Sequence, residues 1–389
     1  MMKSQKKIGL VTLYDGNFGS ILQCFSTKRF LESLDQTCDV LCLNEDENLL
    51  HVEVIKRKLK TLLKILSNLF FLKFIIKSKL NMIKNSLSKN TEMMMNSFIA
   101  DFIKPKKIDQ CLLKKKEWLD GYKYFIAGSD QIWNVAHLVK PFNFLQFAPR
   151  NKRISLAVSF GISEIPLCNQ RELSVALNGF DYISVREESG AEIVKKYSKA
   201  KISRIADPTF IYNAEEWRFF CKDAKIVKKN YILVHFLDKP NNVAIDSINW
   251  LSAQTNLDVV VVGYKHESLN SIANLDFVDA NPWDYVSLIE RAAFVLTDSF
   301  HTSLFSINFE KKFFVFHRGY SVLNQTCRIS DLLNRFEMQN RLISDAVTLK
   351  INYMEKQPKE SRYILEKERR AIRDYIEKSV FGKIPSCFE

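Results

Sequence analysis

Residues 294–316 read Phe-Val-Leu-Thr-Asp-Ser-Phe-His-Thr-Ser-Leu-Phe-Ser-Ile-Asn-Phe-Glu-Lys-Lys-Phe-Phe-Val-Phe. The apolar runs at 294–296 and 313–316 are typical of buried parallel strands, and the apolar positions at 304–307 predict one face of a short helix between them. The polar residues at 297–303 therefore fall where a strand's carboxyl end meets a helix amino terminus. Ligands bind at this edge of open α/β sheets, and the free N–H groups of the helix's first turn favour an anion there.

His301 is the candidate for acid–base chemistry in this stretch. A histidine at the junction of a loop and a helix can donate a proton near neutral pH, whereas most other side chains there cannot. The alternative is that Asp298 and Ser299 cap the helix and His301 is a structural histidine. The local sequence leaves both interpretations open.

The composition describes a globular protein with two domains. The chain has 389 residues, of which 47% are hydrophobic and 26% charged, and a chain of this length is expected to form domains of about 150 to 200 residues. The first apolar run begins at residue 8 and is too short for a secretion signal. The eight cysteines contain no Cys-x-x-Cys pair, which argues against a zinc site and suits free thiols in a reducing compartment. We therefore expect a cytoplasmic protein with no metal.

Positive charge is concentrated in one segment. The net formal charge is +13, and residues 52–90 carry ten Lys or Arg against one acid, Glu53. Apolar residues recur there in steps of three and four, which predicts a basic amphipathic helix or helical hairpin. Its longest apolar run is much shorter than the roughly 20 residues that cross a bilayer. The helix either lies on an anionic membrane surface or packs on the protein with its lysines in solvent.

Polar residues follow two predicted strands in the first half of the chain. A strand at 7–14 leads into a turn at 15–20 that contains two glycines, although the spacing matches neither a dinucleotide fingerprint nor a P-loop. This turn either lines a cleft or needs glycine only for its backbone. A strand at 124–127 leads into the small and polar residues 128–134, where Trp133 is expected to form an aromatic wall beside a polar ligand.

Arg186 lies at the end of a third predicted strand, at 182–185. A guanidinium in this place suits bidentate binding of a carboxylate or a phosphate. The alternative is a weak surface ion pair with Glu187 or Glu188. The residue types alone do not separate the two interpretations.

The second half repeats the alternation of strands and helices. Strands are predicted at 231–236 and 259–263, and a helix begins near Pro282. We predict an α/β protein in which two Rossmann-like doubly wound domains face each other across a cleft. The predicted divisions are an N-terminal domain at 1–220 with the basic helical insert at about 52–90, a C-terminal domain at 221–345, and a C-terminal helical tail at 346–389.

Taken together, four ordered motifs and the turn at 17–20 resemble the polysaccharide pyruvyl transferase family. The motifs are Gly-Ser-Asp-Gln-Ile-Trp-Asn at 128–134, Ser-Val-Arg-Glu-Glu-Ser-Gly at 184–190, Ala-Asp-Pro-Thr at 206–209 and Thr-Asp-Ser-Phe-His at 297–301. The resemblance covers most of the chain apart from the basic insert and the tail. It implies a fold similar to that of the GT-B glycosyltransferases, which have two Rossmann-like halves around a cleft.

The resemblance implies an enzyme that transfers the enolpyruvyl group of phosphoenolpyruvate to a sugar of a surface polysaccharide repeat unit, forming a pyruvate ketal and releasing phosphate. Phosphoenolpyruvate is then the donor substrate, and no separate cofactor is implied. The motif marks His301 and Asp298 as catalytic, with His301 as the acid that protonates the methylene carbon, and Arg186 as the anion clamp. The other substrate-binding candidates are Ser299, Thr302, Asn17, Gly19, Ser20, Gly128, Ser129, Asp130, Gln131, Trp133, Arg318 and Arg328.

Two positions depart from the pattern of this family. Thr302 stands where a glycine usually follows the histidine, and its side chain is expected to narrow the approach of a phosphate. Ser299 stands where many members have an arginine. One anion contact is therefore expected to come from Arg318 or Arg328.

Two other functions are alternatives. One is a nucleotide-sugar-dependent glycosyltransferase with the same fold, since fold alone does not decide function. The other is a non-catalytic, membrane-associated binding module. RNA-binding signatures are absent, so we expect no nucleic-acid partner. The expected partners are phosphoenolpyruvate, a lipid-linked or nucleotide-linked glycan acceptor and, through residues 52–90, the inner face of the cytoplasmic membrane.

Overall fold

A computed structural model describes residues 6–44, 87–136, 138–225, 228–318 and 326–381. The predicted basic helix at 52–90 lies outside the described residues as far as position 86. Its last four positions are described: Leu87 forms an antiparallel bridge with Tyr264, and a helix begins at Lys89.

Parallel strands build the first domain. Its described strands are β1 (Lys7–Val11), β2 (Cys38–Leu43), β3 (Lys106–Ile108), β4 (Tyr122–Ala127), β5 (Arg153–Ser155), β6 (Tyr182–Val185) and β7 (Lys201–Arg204). The first five form a sheet in the order β3-β2-β1-β4-β5. β6 and β7 pair with each other in parallel. A parallel bridge between Val158, which follows β5, and Val185 of β6 places this pair beyond β5.

A second parallel sheet builds the other domain. Its described strands are β8 (Ile232–His235), β9 (Val259–Val262), β10 (Leu275–Val278), β11 (Phe294–Thr297), β12 (Lys312–Phe316) and β13 (Leu342–Ile343). They are ordered β10-β9-β8-β11-β12-β13. The residues of β8, β9 and β11 are all buried, as expected for a sheet covered by helices on both faces.

Helices connect the strands and cover the sheets. The α-helices within the described residues are α1 (Phe18–Ser33), α2 (Lys89–Phe98), α3 (Lys116–Asp120), α4 (Leu167–Leu177), α5 (Glu188–Tyr197), α6 (Ala214–Phe220), α7 (Asn242–Thr255), α8 (Pro282–Arg291), α9 (Phe300–Asn308), α10 (Thr326–Arg335), α11 (Ala346–Asn352) and α12 (Glu360–Val380). The predicted α/β class is confirmed, and β11, α9 and β12 match the strand-helix-strand unit predicted at 294–316.

The strand order reverses once in each sheet, between β1 and β4 in the first and between β8 and β11 in the second. Crevices open at such points, because the connections on the two sides leave in opposite directions. The loops that follow β1, β4, β8 and β11 are therefore the parts of the chain best placed to form a site.

Helix α1 ties the two domains together at these crevices. Twelve of its 16 residues are buried. The ring of Phe18 stacks on Tyr285 of α8 with centroids 4.5 Å apart, and Phe25 meets Trp283 of the same helix edge-on at 4.9 Å. The buried hydroxyls of Ser26 and Thr27 donate to carbonyls one turn earlier in α1, so they leave no unsatisfied group. The amino terminus of α1 is thus held between the sheets.

Helix α12, in the segment predicted as a charged tail, returns to the first domain. Arg369 Nε donates to the carbonyl of Phe210 at 3.0 Å, and Arg373 Nη2 donates to that of Ile211 at 2.8 Å. The hydroxyl of Tyr375 donates to the carbonyl of Ser155, at the end of β5. The domain limits at 220 and 345 stay predictions.

The helices of the described segments include none with both the length and the apolar sequence needed to cross a membrane. The most basic part of the chain lies outside these segments. Its contact with a membrane surface stays a prediction from sequence.

Candidate active site between the two sheets

Buried charged side chains meet between the two sheets. Arg186, which follows β6, donates from Nη1 to Asp207 at 2.5 Å, and its Nη2 lies 3.5 Å from Asp130 Oδ1. Its Nε lies 3.7 Å from Glu187 Oε2. His301 enters from the second domain and places Nε2 3.6 Å from Asp207 Oδ2. Each of these side chains belongs to a residue at most 6% exposed, so Arg186 does pair with Glu187, but the prediction of a weak pair at the surface is wrong because the pair is buried.

Asp207 is the central acceptor of this cluster. Its Oδ1 accepts hydrogen bonds from the backbone N–H and the hydroxyl of Thr209 at 3.0 and 2.9 Å. Burial alone would raise the pKa of the Asp207 carboxyl, but His301 and Arg186 hold that pKa well below its usual range. Asp207 is therefore ionised and placed to stabilise a protonated imidazole. It was not among the predicted site residues, although its place in the Ala-Asp-Pro-Thr motif at 206–209 was the available signal.

The amino terminus of α1 forms the wall beside His301. A Cβ atom at Gly19 would lie 2.1 Å from His301 Nδ1, so glycine is needed here to leave room for the ring. Asn17 caps α1 by accepting from Ser20 N at 2.9 Å, and the Ser20 hydroxyl donates to Asp130 at 2.7 Å. The turn after β1 and the histidine after β11 are thus brought together.

The loop after β4 places Asp130 against the cluster. Gly128 has a φ of +124°, and a Cβ there would lie 2.0 Å from the carbonyl oxygen of Leu156, the residue after β5. The Ser129 hydroxyl donates to the carbonyl of Ala157 at 2.7 Å and lies 3.3 Å from Asp207 Oδ2. Burial opposes ionisation of Asp130, but His301 and Arg186 keep the pKa of this carboxyl below its ordinary value.

Trp133 lies in the hydrophobic core of the first domain. It is 0% exposed, its indole N–H donates to the carbonyl of Asn143 at 2.9 Å, and its ring stacks on Phe144 at 4.8 Å. The prediction that Trp133 forms an aromatic wall for a ligand is therefore wrong. The large apolar ring is better buried among other aromatic residues than beside a polar cleft.

Asp298 holds the loop that follows β8. Its carboxylate accepts from the backbone N–H groups of Leu237 and Asp238 at 2.7 and 2.9 Å. Burial raises the pKa of Asp298 above its ordinary value, although Arg318 and these N–H groups oppose the rise. These contacts assign Asp298 to holding the fold, and its catalytic role stays a prediction. Ser299 caps α9 by accepting from Thr302 N, as the local sequence indicated.

Thr302 joins three elements of the second domain. Its hydroxyl lies 2.7 Å from Nδ1 of His235, the last residue of β8, and 2.8 Å from the hydroxyl of Tyr285 in α8. Thr302 is 0% exposed. The expectation that its side chain narrows the approach of a phosphate is wrong, because that side chain points into the domain core.

The buried His235 predicts a pH dependence of stability. Burial lowers the pKa of His235 to about 3, with a further contribution from Arg318. The unfolded chain therefore takes up a proton below about pH 6.5 that the folded protein does not, and each pH unit costs up to about 1.4 kcal/mol of stability. The free energy of unfolding is expected to fall as the pH is lowered from 6.5 towards 4.

The test is urea unfolding of the wild type and of His235→Gln at several values in this pH range. The variant should be less stable at pH 7, because it loses ring contacts with Phe18 and Tyr285, but its stability should change less with pH. His317→Gln, at an exposed histidine, should keep the wild-type slope. An unchanged slope in His235→Gln would contradict this account.

The two arginines predicted as anion contacts lie in different surroundings. Arg318 donates from Nε and Nη2 to the carbonyl of Asp298 at 3.2 and 3.1 Å, and its Nε is 3.3 Å from the carboxylate of that residue. Arg328 is buried beside the charged cluster. With its amide oxygen facing Arg328, Gln131 accepts hydrogen bonds at 2.9 Å from both Nη atoms.

Solved structures share the overall fold at low sequence identity. The S. aureus MnaA-UDP co-structure aligns with a TM-score of 0.53 and 13% identity, covering 99% of this chain and 100% of that one. UDP-GlcNAc 2-epimerase from Methanocaldococcus jannaschii aligns with a TM-score of 0.52 and 9% identity, covering 95% and 99%. These likenesses confirm the predicted GT-B-like arrangement of two Rossmann-like domains.

Sequence comparisons identify the family. No curated protein matches the sequence. The family model for polysaccharide pyruvyl transferase matches residues 17–319, well over half of the 389 residues. The matched range includes every site residue described above except Arg328, which lies just beyond it. The chain therefore belongs to the polysaccharide pyruvyl transferase family and is a transferase enzyme.

Proposed function

We propose that the protein transfers the enolpyruvyl group of phosphoenolpyruvate to two hydroxyls of one sugar in a surface polysaccharide repeat unit. The products are a pyruvate ketal and inorganic phosphate. The observation that carries the proposal is the placement of His301 beside the ionised Asp207, next to Arg186 and at the crevices of both sheets. This arrangement offers a proton donor and an anion contact within one buried site.

His301 supplies the first proton in this reaction. The imidazolium gives its proton to the methylene carbon of the donor, and the adjacent carbon becomes an oxocarbenium-like centre that the first sugar hydroxyl attacks. The C–O bond to phosphate then breaks and the second hydroxyl closes the ketal. Of the two hydroxyl protons, one restores His301 and the other leaves on phosphate. The negative charge of Asp207, 3.6 Å from Nε2, stabilises the protonated form of His301.

Two features of the site favour an anionic donor. Arg186 Nε and Nη2 have no hydrogen-bond partner within the described residues, although they lie 3.7 and 3.5 Å from the carboxylates of Glu187 and Asp130. Helix α9 begins at Phe300, so its positive amino-terminal end lies beside Arg186, although Ser299 caps the N–H of Thr302. A donor with a carboxylate and a phosphate can use both features.

The acceptor part of the proposal rests on sequence and family. A polysaccharide repeat unit is carried on a lipid or a nucleotide, and a lipid carrier would bring the acceptor to the membrane. The basic segment at 52–90 would then dock the protein at the inner face of the cytoplasmic membrane. This step depends on the charge and apolar pattern of the sequence, since residues 45–86 lie outside the described ranges.

The test is incubation of the protein with phosphoenolpyruvate labelled with ¹³C at its methylene carbon and lipid-linked saccharides from the producing cells. We expect phosphate release together with a new ¹³C methyl signal on the saccharide. His301→Gln protein is the control for enzyme-dependent transfer. Transfer of sugar from one of a panel of UDP-sugars, without consumption of phosphoenolpyruvate, would favour the glycosyltransferase. This alternative is included because the S. aureus MnaA-UDP co-structure has a similar fold. Absence of both reactions would favour a binding module.

A further inference from the structure

Helix α10 of the second domain reaches across to the first domain. Asp331 Oδ2 accepts from the backbone N–H of Glu188 at 3.3 Å, and Arg335 Nη2 donates to the carbonyl of Arg186 at 3.1 Å. Arg328 lies three residues before Asp331, so all three side chains share one face of the helix. The helix is thus seated directly on the segment that carries Arg186.

Arg328 carries a buried charge without a close carboxylate partner among the described residues, and the carboxylates of Asp130 and Glu187 act on it from beyond ion-pair distance. The residue is 4% exposed, and among the described residues no carboxylate lies within ion-pair distance of its guanidinium and no acceptor bonds its Nε. Within the described ranges its Nη atoms bond the neutral amide of Gln131. Burial lowers the pKa of Arg328 to about 10, with contributions from Arg186 and Arg318, so it remains charged at neutral pH. Burying a charge in this way is costly and calls for a partner.

Arg186 differs from Arg328 in its charge environment. Three carboxylates lie within 4 Å of Arg186, those of Asp130, Glu187 and Asp207. Both guanidinium groups lie near the ring of Phe300, the first residue of α9, at 4.1 Å for Arg186 and 5.7 Å for Arg328. Of these two guanidinium groups, that of Arg328 is the one with no carboxylate within 4 Å among the described residues.

We propose that Arg328 binds an anionic group of the donor substrate, its phosphate or its carboxylate, and so completes the donor site from the second domain. This inference rests on the proposed function. Asp331 and Arg335 are positioning residues that seat α10. Arg318 is excluded from this role because its guanidinium holds the backbone and carboxylate of Asp298.

The test compares Arg328→Gln and Arg328→Lys with the wild type. Loss of a charge-assisted contact is expected to raise KM for phosphoenolpyruvate by about 10- to 100-fold in Arg328→Gln. The value of kcat should change much less, because the contact is made in both the ground state and the transition state. Arg328→Lys should recover part of the loss, since it restores the charge without the planar fork.

Arg341→Gln is the matched control. Arg341 is 1% exposed in the same domain, and its Nη2 donates to the carbonyls of Glu355 and Lys356, away from the charged cluster. This variant should lower the melting temperature while KM stays at the wild-type value. If Arg328→Gln raised KM only by destabilising the second domain, Arg341→Gln should raise KM to a similar extent.

Inorganic phosphate and pyruvate serve as separate probes of anion binding by thermal unfolding. Both should raise the melting temperature of the wild type, and the one whose effect Arg328→Gln abolishes identifies the group that Arg328 binds. If the wild type binds these anions but does not turn over phosphoenolpyruvate, the proposed function is contradicted, whereas the anion site at Arg328 is still supported. The inference is overturned if Arg328→Gln keeps the wild-type KM and the wild-type shifts in melting temperature with both anions. It is also overturned if the melting temperature of the wild type changes with neither anion nor with phosphoenolpyruvate.

Discussion

His301→Gln is expected to lower the turnover of phosphoenolpyruvate by about 100- to 10,000-fold, the range that a positioned general acid contributes. The imidazole of His301 is the proposed proton donor to carbon, and Asp207 lies 3.6 Å from its Nε2. A glutamine fits a similar space beside Gly19 but cannot take up and deliver the proton. The measurement is phosphate release under saturating donor, together with circular dichroism to show that the fold is kept.

His266→Gln is the control for this substitution. His266 is also buried, at 3% exposure, but its Nε2 lies 3.1 Å from the carbonyl of Phe236, the first residue after β8. Turnover should stay near the wild-type value in this variant. Wild-type turnover in His301→Gln would remove His301 from the mechanism.

Asp207→Asn is expected to reduce both stability and turnover. The substitution removes the closest carboxylate of a buried arginine, which destabilises a protein by about 3 to 5 kcal/mol when the remaining charge is left uncompensated. Asp130 and Glu187 stay near Arg186, so we expect the lower end of this range. Turnover should fall as well, because the protonated His301 loses the negative charge beside its Nε2. Urea unfolding and phosphate release measure the two effects.

An exposed pair of the same chemistry provides the comparison. Asp181 bonds Arg150 at 2.6 Å, but both side chains are 58% exposed. Surface pairs of this kind contribute about 0 to 1 kcal/mol, so Asp181→Asn should change neither stability nor turnover appreciably. Equal effects of the two substitutions would show that Asp207 has no special place in the site.

The fold, and the fact that the main site residues lie close together, could be predicted because both depend on the order of strands and helices along the sequence. The buried run at 294–296 and the polar residues after it require a strand that ends at a helix, and the structure places His301 in that helix. Asn17 and Gly19 follow β1 in the same way. The carboxyl ends of parallel strands meet at one edge, so residues far apart in sequence come together.

The directions of individual side chains could not be predicted in the same way. Trp133 and Thr302 lie in sequence beside polar site residues, yet both point into the core, because a short helical turn sends neighbouring side chains to different faces. The choice between Arg318 and Arg328 depends on which carbonyls and carboxylates surround each guanidinium. Those partners come from distant parts of the chain, so local pattern does not reveal them.

The measurement that tests the central claim most directly is thermal unfolding of the wild type with phosphoenolpyruvate and, separately, with UDP-GlcNAc. A ligand at about 100 times its dissociation constant stabilises the folded state by about 2.7 kcal/mol, which is readily detected. We predict a higher melting temperature with phosphoenolpyruvate and no change with UDP-GlcNAc. A shift with UDP-GlcNAc and none with phosphoenolpyruvate would contradict the assignment of this site to a phosphoenolpyruvate donor.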